Sequence, residues 1–354
     1  MQISSTVSIP TTFISANSEN GFFSLYDTVF HPEKMDKIFV IAGGPGTGKS
    51  TFLKELCTEV QQKGVSIEKI LCSSDPQSLD GLILRHRGRS VGVFDGTPPH
   101  GRVLHRPAII EELWNLGELW DSESISRQKE EILFYNEQKS NAYARAYALL
   151  RSLGALKEER RIFYRPYFEK EKAARQIRHK MKGCRPKGER EVRLLRAFST
   201  AGEVTLFPIY KEDQQLLLIG GKEAAAEIYL SFFAEYLKKA EIEHTVFFSP
   251  LSPDIVDAIY INEEHTLFLK EGLNTQKHSG RRIVADRFFT APETSERESK
   301  ALAEGIKNAV HTALKEAGEA HAAIEKCYKT GMDYQALGRF KKEKKEALLS
   351  ALGI

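Results

Sequence analysis

The run Gly43-Gly44-Pro45-Gly46-Thr47-Gly48-Lys49-Ser50-Thr51 has the spacing G-x-x-x-x-G-K-[ST], which is that of a phosphate-binding P-loop. Glycines let backbone N–H groups turn toward an anion with no Cβ in the way. The Lys49 ammonium can reach the β- and γ-phosphates of a nucleoside triphosphate, and the Ser50 hydroxyl can ligate Mg²⁺. Residues 89–96 read as a short strand ending in Asp95, an acid placed to orient Mg²⁺ or its water beside such a loop. Asp75, in Cys72-Ser73-Ser74-Asp75-Pro76, follows another strand. Ligands of α/β sheets bind beyond the carboxyl ends of strands, so Asp75 is either a base or water-positioner, or the start of an Asp-Pro turn. His100 lies on the next loop and either handles substrate or is simply exposed. Residues 78–81 read as the opening of a short helix with Ser78 or Asp80 as cap, and the structural role of Asp80 is favoured because the second half of the chain keeps an acid at the matching Asp257.

The elements that must hold these groups are legible around them. Residues 37–42 read as a buried strand running into the loop, and residues 50–57 as the first turns of a helix whose N-terminus adds partial positive charge. Upstream, residues 1–36 add a strand near 12–16. The stretch 107–183 reads as mostly helical, with Asp121 or Ser122 capping a long helix. Trp114 and Trp120 share helical spacing with Leu113, Leu116 and Leu119 and read as core. Arg85, Arg87 and Arg89 lie between two strands, either as a phosphate-neutralising finger or as a solvated hairpin. The basic run from Lys170 to Arg196 could be a lid clamping phosphate or a nucleic-acid surface, but it is diluted by Glu169, Glu171, Glu189 and Glu191 and reads first as a solvated helical face.

The chain repeats itself. Asp80 and Asp257 lie 177 residues apart, and Phe39-Val40-Ile41-Ala42-Gly43-Gly44 matches Leu216-Leu217-Leu218-Ile219-Gly220-Gly221. A repeat this long means a duplicated domain, not a solenoid. The expected division is a first domain 1–183 with its core at 37–106, a linker 184–194, and a second domain 195–354 with its core at 195–292. After Gly221 the second copy reads Lys222-Glu223-Ala224-Ala225-Ala226-Glu227. The G-K-[ST] step is gone, and Glu223 and Glu227 would repel a triphosphate. The second copy is therefore a degenerate site on a retained fold.

Composition narrows the classes. Of 354 residues, 41% are hydrophobic and 28% charged, so the chain can bury a core and is not disordered. A net charge of +3 is too mild to imply nucleic acid. The cysteines Cys57, Cys72, Cys184 and Cys327 have neither disulfide-framework nor zinc spacing, which fits a reducing cytoplasm. The N-terminus lacks the apolar core of a signal peptide, and no apolar run is long enough to span a membrane.

Together, G-G-P-G-T-G-K-S-T, the C-S-S-D-x-x-S-L-D-G element, the F-D-G-T-x-P-H element and the tandem halves resemble an uncharacterised family of bacterial tandem P-loop proteins, labelled as ATPases or nucleotide kinases. The resemblance covers nearly the whole chain. It implies an α/β fold with duplicated P-loop NTPase-type parallel sheets and helical appendages, binding ATP and Mg²⁺ in the cytoplasm. Relatives often carry a P-loop in both halves, and residues 222–227 depart from that. Three activities follow: an ATPase with one active site, a kinase with a small-molecule or nucleotide acceptor near Asp75, or an ATP-sensing module acting on a protein partner. The missing N-K-x-D signature for guanine favours ATP.

Overall fold

The computed structural model describes residues 10–99, 104–186, 188–273, 279–292 and 294–354. In the first half the strands are β1 (Thr11–Thr12), β2 (Ser15–Ser18), β3 (Gly21–Ser24), β4 (Lys37–Ala42), β5 (Ser66–Leu71), β6 (Leu79–His86), β7 (Arg89–Asp95) and β8 (Glu111–Asn115). In the second they are β9 (Arg190–Leu194), β10 (Arg196–Ser199), β11 (Gly202–Thr205), β12 (Gln215–Gly220), β13 (His244–Phe248), β14 (Val256–Ile261), β15 (Thr266–Lys270) and β16 (Arg281–Val284). The first six-stranded sheet has the order β1-β5-β6-β7-β4-β8 and the second β9-β13-β14-β15-β12-β16. Adding eight to each strand number turns one into the other. The hairpins β2-β3 and β10-β11 obey the same rule. The duplication is thus a property of the topology.

The sheets are mixed where purely parallel ones were expected. β6 runs antiparallel to β5 and β7, and β14 to β13 and β15. The cause is local: Arg87 and Gly88, at φ of 47° and 82°, close a two-residue hairpin between β6 and β7. A parallel connection would need a crossover of a dozen residues. Two further corrections concern the predicted layout. Trp114 belongs to strand β8, not a helix, and Arg190–Leu194 inside the expected linker is strand β9. Val192 and Leu194 of β9 are buried in the core that joins the halves.

The halves meet edge to edge. Phe13 N donates to Leu194 O at 3.0 Å and Leu194 N to Phe13 O at 2.8 Å, pairing equivalent ends of β1 and β9. Beside this junction the buried Glu68 carboxylate accepts from Arg193 Nε at 2.6 Å, Arg193 Nη2 at 3.0 Å and Thr12 Oγ1 at 2.9 Å.

The helices are α1 (Tyr26–Val29), α2 (Lys49–Gln61), α3 (Ser122–Ser126), α4 (Lys129–Tyr164), α5 (Lys170–Lys180), α6 (Glu223–Lys239), α7 (Arg297–Lys329) and α8 (Tyr334–Leu352). Asp121 caps the short α3, and the long α4 begins eight residues after that cap. α4 and α7 run antiparallel along each other through Ala146, Leu150, Val310 and Leu314. Each ends over the other half's sheet. α5, which follows the first core, packs Ala173, Ile177 and Met181 against α6; α8, which follows the second, packs Leu337, Leu348 and Leu352 against the first sheet and α2. The appendages therefore cross over. Among the described residues no helix is long and apolar enough to cross a membrane.

Candidate phosphate-binding site

β4 delivers the chain into the glycine-rich loop and α2 carries it away. Gly43, Gly46 and Gly48 sit at φ of +148°, +79° and +81°, where an L side chain is strained. Gly48 is the N-cap of α2 and offers no side-chain cap, so the first N–H groups of the helix lack the partner that a serine or aspartate would supply. Close approach also demands glycine: a Cβ at Gly44 would lie 2.6 Å from Trp120 Cη2, and one at Gly46 would lie 2.9 Å from the Glu325 carbonyl oxygen of α7. Pro45 stands between these two contacts. Thr47 is buried and its hydroxyl donates to Gly44 O at 3.0 Å.

Lys49 Nζ donates to Gly43 O at 2.7 Å and Gly44 O at 2.9 Å, and lies 3.7 Å from Asp95 Oδ2. Asp95 ends β7 beside Ile41 of β4, and Thr97 links the two strand ends by donating from N to Asp95 Oδ1 at 2.8 Å and from Oγ1 to Gly43 O at 2.6 Å. Ser50 Oγ accepts from Leu79 N at 3.0 Å. Thr51, one residue further along α2, is exposed. The structure thus brings Lys49, Ser50 and Asp95 together at one end of the sheet.

Asp75 lies at the same end but is exposed, and its carboxylate accepts from Gln77 N at 3.2 Å and Ser78 Oγ at 2.6 Å. The Asp-Pro turn is therefore formed. Asp80 lies in strand β6, not at the cap of the short helix expected over 78–81, and has the more central position. The pairing of Gly81 with Phe94 sets Asp80 and Asp95 side by side. Burial first, and the charge of Asp95 second, push the Asp80 carboxyl up to about 8. The same burial raises the neighbouring Tyr26 hydroxyl and Cys72 thiol. Sequence reasoning missed this placement of Asp80 because it follows from strand register, which no local pattern displays.

α7 lies over the loop, with Trp120 and groups of α4 beside it. Trp120 packs its ring against Tyr328 in a tilted pair with centroids 4.9 Å apart, and its buried Nε1 has no acceptor among the described residues. Tyr143 Oη donates to Ser74 Oγ at 3.2 Å. Burial, then the charge of Lys139, lowers His321, which also feels Glu325, Lys49 and Asp75. The arginines turn away: Arg87 is in the β6-β7 turn, and Arg89 Nη1 donates to Ala351 O at 3.1 Å at the end of α8. They occupy the far end of seven-residue β7, roughly 20 Å from Asp95, so they form the hairpin, not a finger. His100 lies outside the described residues. Of the two tryptophans only Trp114 is core, stacked on Phe39 at 4.3 Å. Along the basic run, α5 buries Ala173 and Ile177 and leaves its charges outward, whereas Arg193 and Arg196 are buried in ion pairs.

The second half shows what replaced the loop. Phe39 and Ile41 face α2, and Leu217 and Ile219 face α6. The structural match is therefore Gly43 with Gly221, at φ of +109°, one residue away from the match of letters. The buried faces of the two helices, with Phe52, Leu53 and Leu56 answering Tyr229, Leu230 and Phe233, pair Ser50 with Glu227. In that frame α6 starts three residues before α2, and its first turn fills the place of Gly46 to Gly48. Glu227 does not stand there as a bare repelling charge: it pairs with Arg161 at 3.0 Å and Lys270 at 2.8 Å.

Comparison with protein-family models, with characterised proteins and with solved structures gives no match for this chain.

Proposed function

We propose that the chain binds Mg-ATP at residues 43–51 and hydrolyses it, with one active and one degenerate site. The observation that carries this reading is the loop itself: three glycines at positive φ between a strand and an uncapped helix N-terminus, with Lys49 3.7 Å from a strand-end aspartate. These residues fit a magnesium triphosphate. An anion would supply the missing cap of α2, and phosphate oxygens would complete the shell of an ion held by Ser50 and Asp95, since Mg²⁺ takes few protein ligands in such sites. Lys49 neutralises charge on the β- and γ-phosphates once released from the carbonyls it now bonds. Asp75 is the candidate acceptor for the proton of the attacking water. Bound Mg²⁺ supplies charge neutralisation of the transferring group, and positioning does the rest.

Hydrolysis is favoured over transfer to a small acceptor because α7 rests on the loop at Gly46, so nucleotide occupancy bears directly on the helices that tie the halves together. The test is phosphate release from Mg-ATP by purified protein, alone and with a panel of nucleosides and nucleotides. Release without an acceptor is expected, and Lys49→Ala is expected to lose it while remaining folded. ATP consumption only with one acceptor would make the protein a kinase, and binding without turnover would make it a sensor. Undiminished turnover in Lys49→Ala would refute the assignment of the loop.

A further inference from the structure

The second half carries a buried cation of its own, and its surroundings can be laid over the matching positions of the first half. Gly81 pairs with Phe94 in the first sheet, and Ala258 pairs with Leu269 in the second. The next residues along the same strands therefore correspond as well: Asp80 to Asp257, and Asp95 to Lys270. With Glu227 in the place of Ser50, each of the three groups has a counterpart.

In the second half the Lys270 ammonium is buried. It lies 2.8 Å from Glu227 Oε1, 3.0 Å from Asp257 Oδ1 and 3.4 Å from Glu223 Oε1. A positive charge tethered to β15 is thus held by the group in Ser50's place and the group in Asp80's place. Its own strand position is the one that Asp95 fills in the first half. Where the first half has an acid on this strand, facing the Lys49 ammonium of α2 at 3.7 Å, the second half has a cation on the strand itself, facing acids. Arg196, bonded to Asp257 Oδ2 at 2.6 Å, completes the neutralisation.

We propose that Asp80 is the third protein group of the magnesium site, acting with Ser50 and Asp95 as Asp257 acts on Lys270. This rests on the reading of residues 43–51 as a Mg-ATP site. Asp80 would hold the ion directly or through one of its waters, from β6, the strand that neighbours Asp95 on β7. The Ser50 hydroxyl already accepts from Leu79 N, which ties the start of β6 to the first turn of α2.

The test is binding of a fluorescent ATP analogue to the full chain, with Mg²⁺ and with EDTA. Wild-type protein is expected to bind more tightly with Mg²⁺. In Asp80→Asn the Mg²⁺ enhancement is expected to fall by about tenfold or more, with affinity in EDTA undiminished. A full enhancement in Asp80→Asn would overturn the proposal and leave the nucleotide site standing. No binding by wild-type protein would overturn both. Should Asp80→Asn fail to fold, the wild-type chain decides: Fe²⁺ replaces Mg²⁺ in the nucleotide complex, and peroxide-driven backbone cleavage is mapped by mass spectrometry. Cleavage near both Asp80 and Asp95 is expected, and cleavage near Asp95 alone would overturn the proposal.

Discussion

Replacing Arg193 by methionine removes the partner of a buried carboxylate at the junction of the halves. Among the described residues Glu68 then keeps the Thr12 hydroxyl as hydrogen-bond partner and the charge of Arg85. In the intact protein burial pushes the Glu68 carboxyl up, but the charge and hydrogen bonds of Arg193 outweigh it, and the net shift is below the ordinary value of 4.5. A carboxyl held down in the folded state contributes stability above its unfolded value and loses it as pH falls through the folded one. In the variant the sign reverses, because an unpaired buried carboxylate is driven to take a proton. Neutralising an acid of ordinary value at pH 7 costs about 3.4 kcal/mol at 1.36 kcal/mol per pH unit, within the roughly 3–5 kcal/mol found on breaking buried pairs. At pH 5 the same cost is about 0.7 kcal/mol, so acid should rescue most of the deficit. Urea unfolding at both pH values, followed by Trp114 fluorescence and checked for coincidence with circular dichroism, measures it. Glu68→Met with Arg193→Met should recover most of the loss, since no charge is stranded. A deficit below about 1 kcal/mol at pH 7, the scale of an exposed pair, or one equal at both pH values, would refute this reasoning.

Two further predictions concern the glycine-rich loop and its replacement. Gly46→Ala places a Cβ 2.9 Å from Glu325 O and 3.1 Å from Lys329 Cγ, at φ of +79°. The left-handed backbone alone costs roughly 1–2 kcal/mol, so both thermal stability and affinity for ATP should fall, and an unchanged midpoint would show that α7 does not rest on the loop. Lys270→Met strands Glu227 and Asp257 with fewer cations and should cost roughly 3–5 kcal/mol in urea unfolding, while ATP affinity is unchanged. A large loss of ATP affinity in that folded variant would mean that the second half takes part in nucleotide binding.

Much of the candidate site was legible because its signals are local. The spacing of glycines before Lys49 and Ser50, the apolar run 37–42 and the strand ending in Asp95 each depend on neighbours a few residues away. The solvated face of α5 was readable for the same reason, whereas the sequence left the arginines at 85, 87 and 89 open between a finger and a hairpin. Asp80 was read as structural because an acid recurs at Asp257, and its place beside Asp95 was missed because strand register sets it. The balance of Glu227 was missed because its partners, Arg161 and Lys270, lie 66 and 43 residues away.

By itself the sequence determined a glycine-rich turn between a strand and a helix, a second copy without it, and a chain able to build two α/β cores. Spacing and composition suffice for these, since backbone freedom, helix period and strand alternation are properties of short segments. Tertiary structure alone decided that the sheets join edge to edge at Phe13 and Leu194. It also decided that α7 and α8 return to the first core while α4 and α5 serve the second. The side-by-side acids Asp80 and Asp95, and the ammonium of Lys270 among the matching groups, arise at the same level. Each depends on which strand pairs with which and on which face a helix docks. Those choices are made by burial and charge compensation between residues far apart in the chain, where local periodicity carries no record of them.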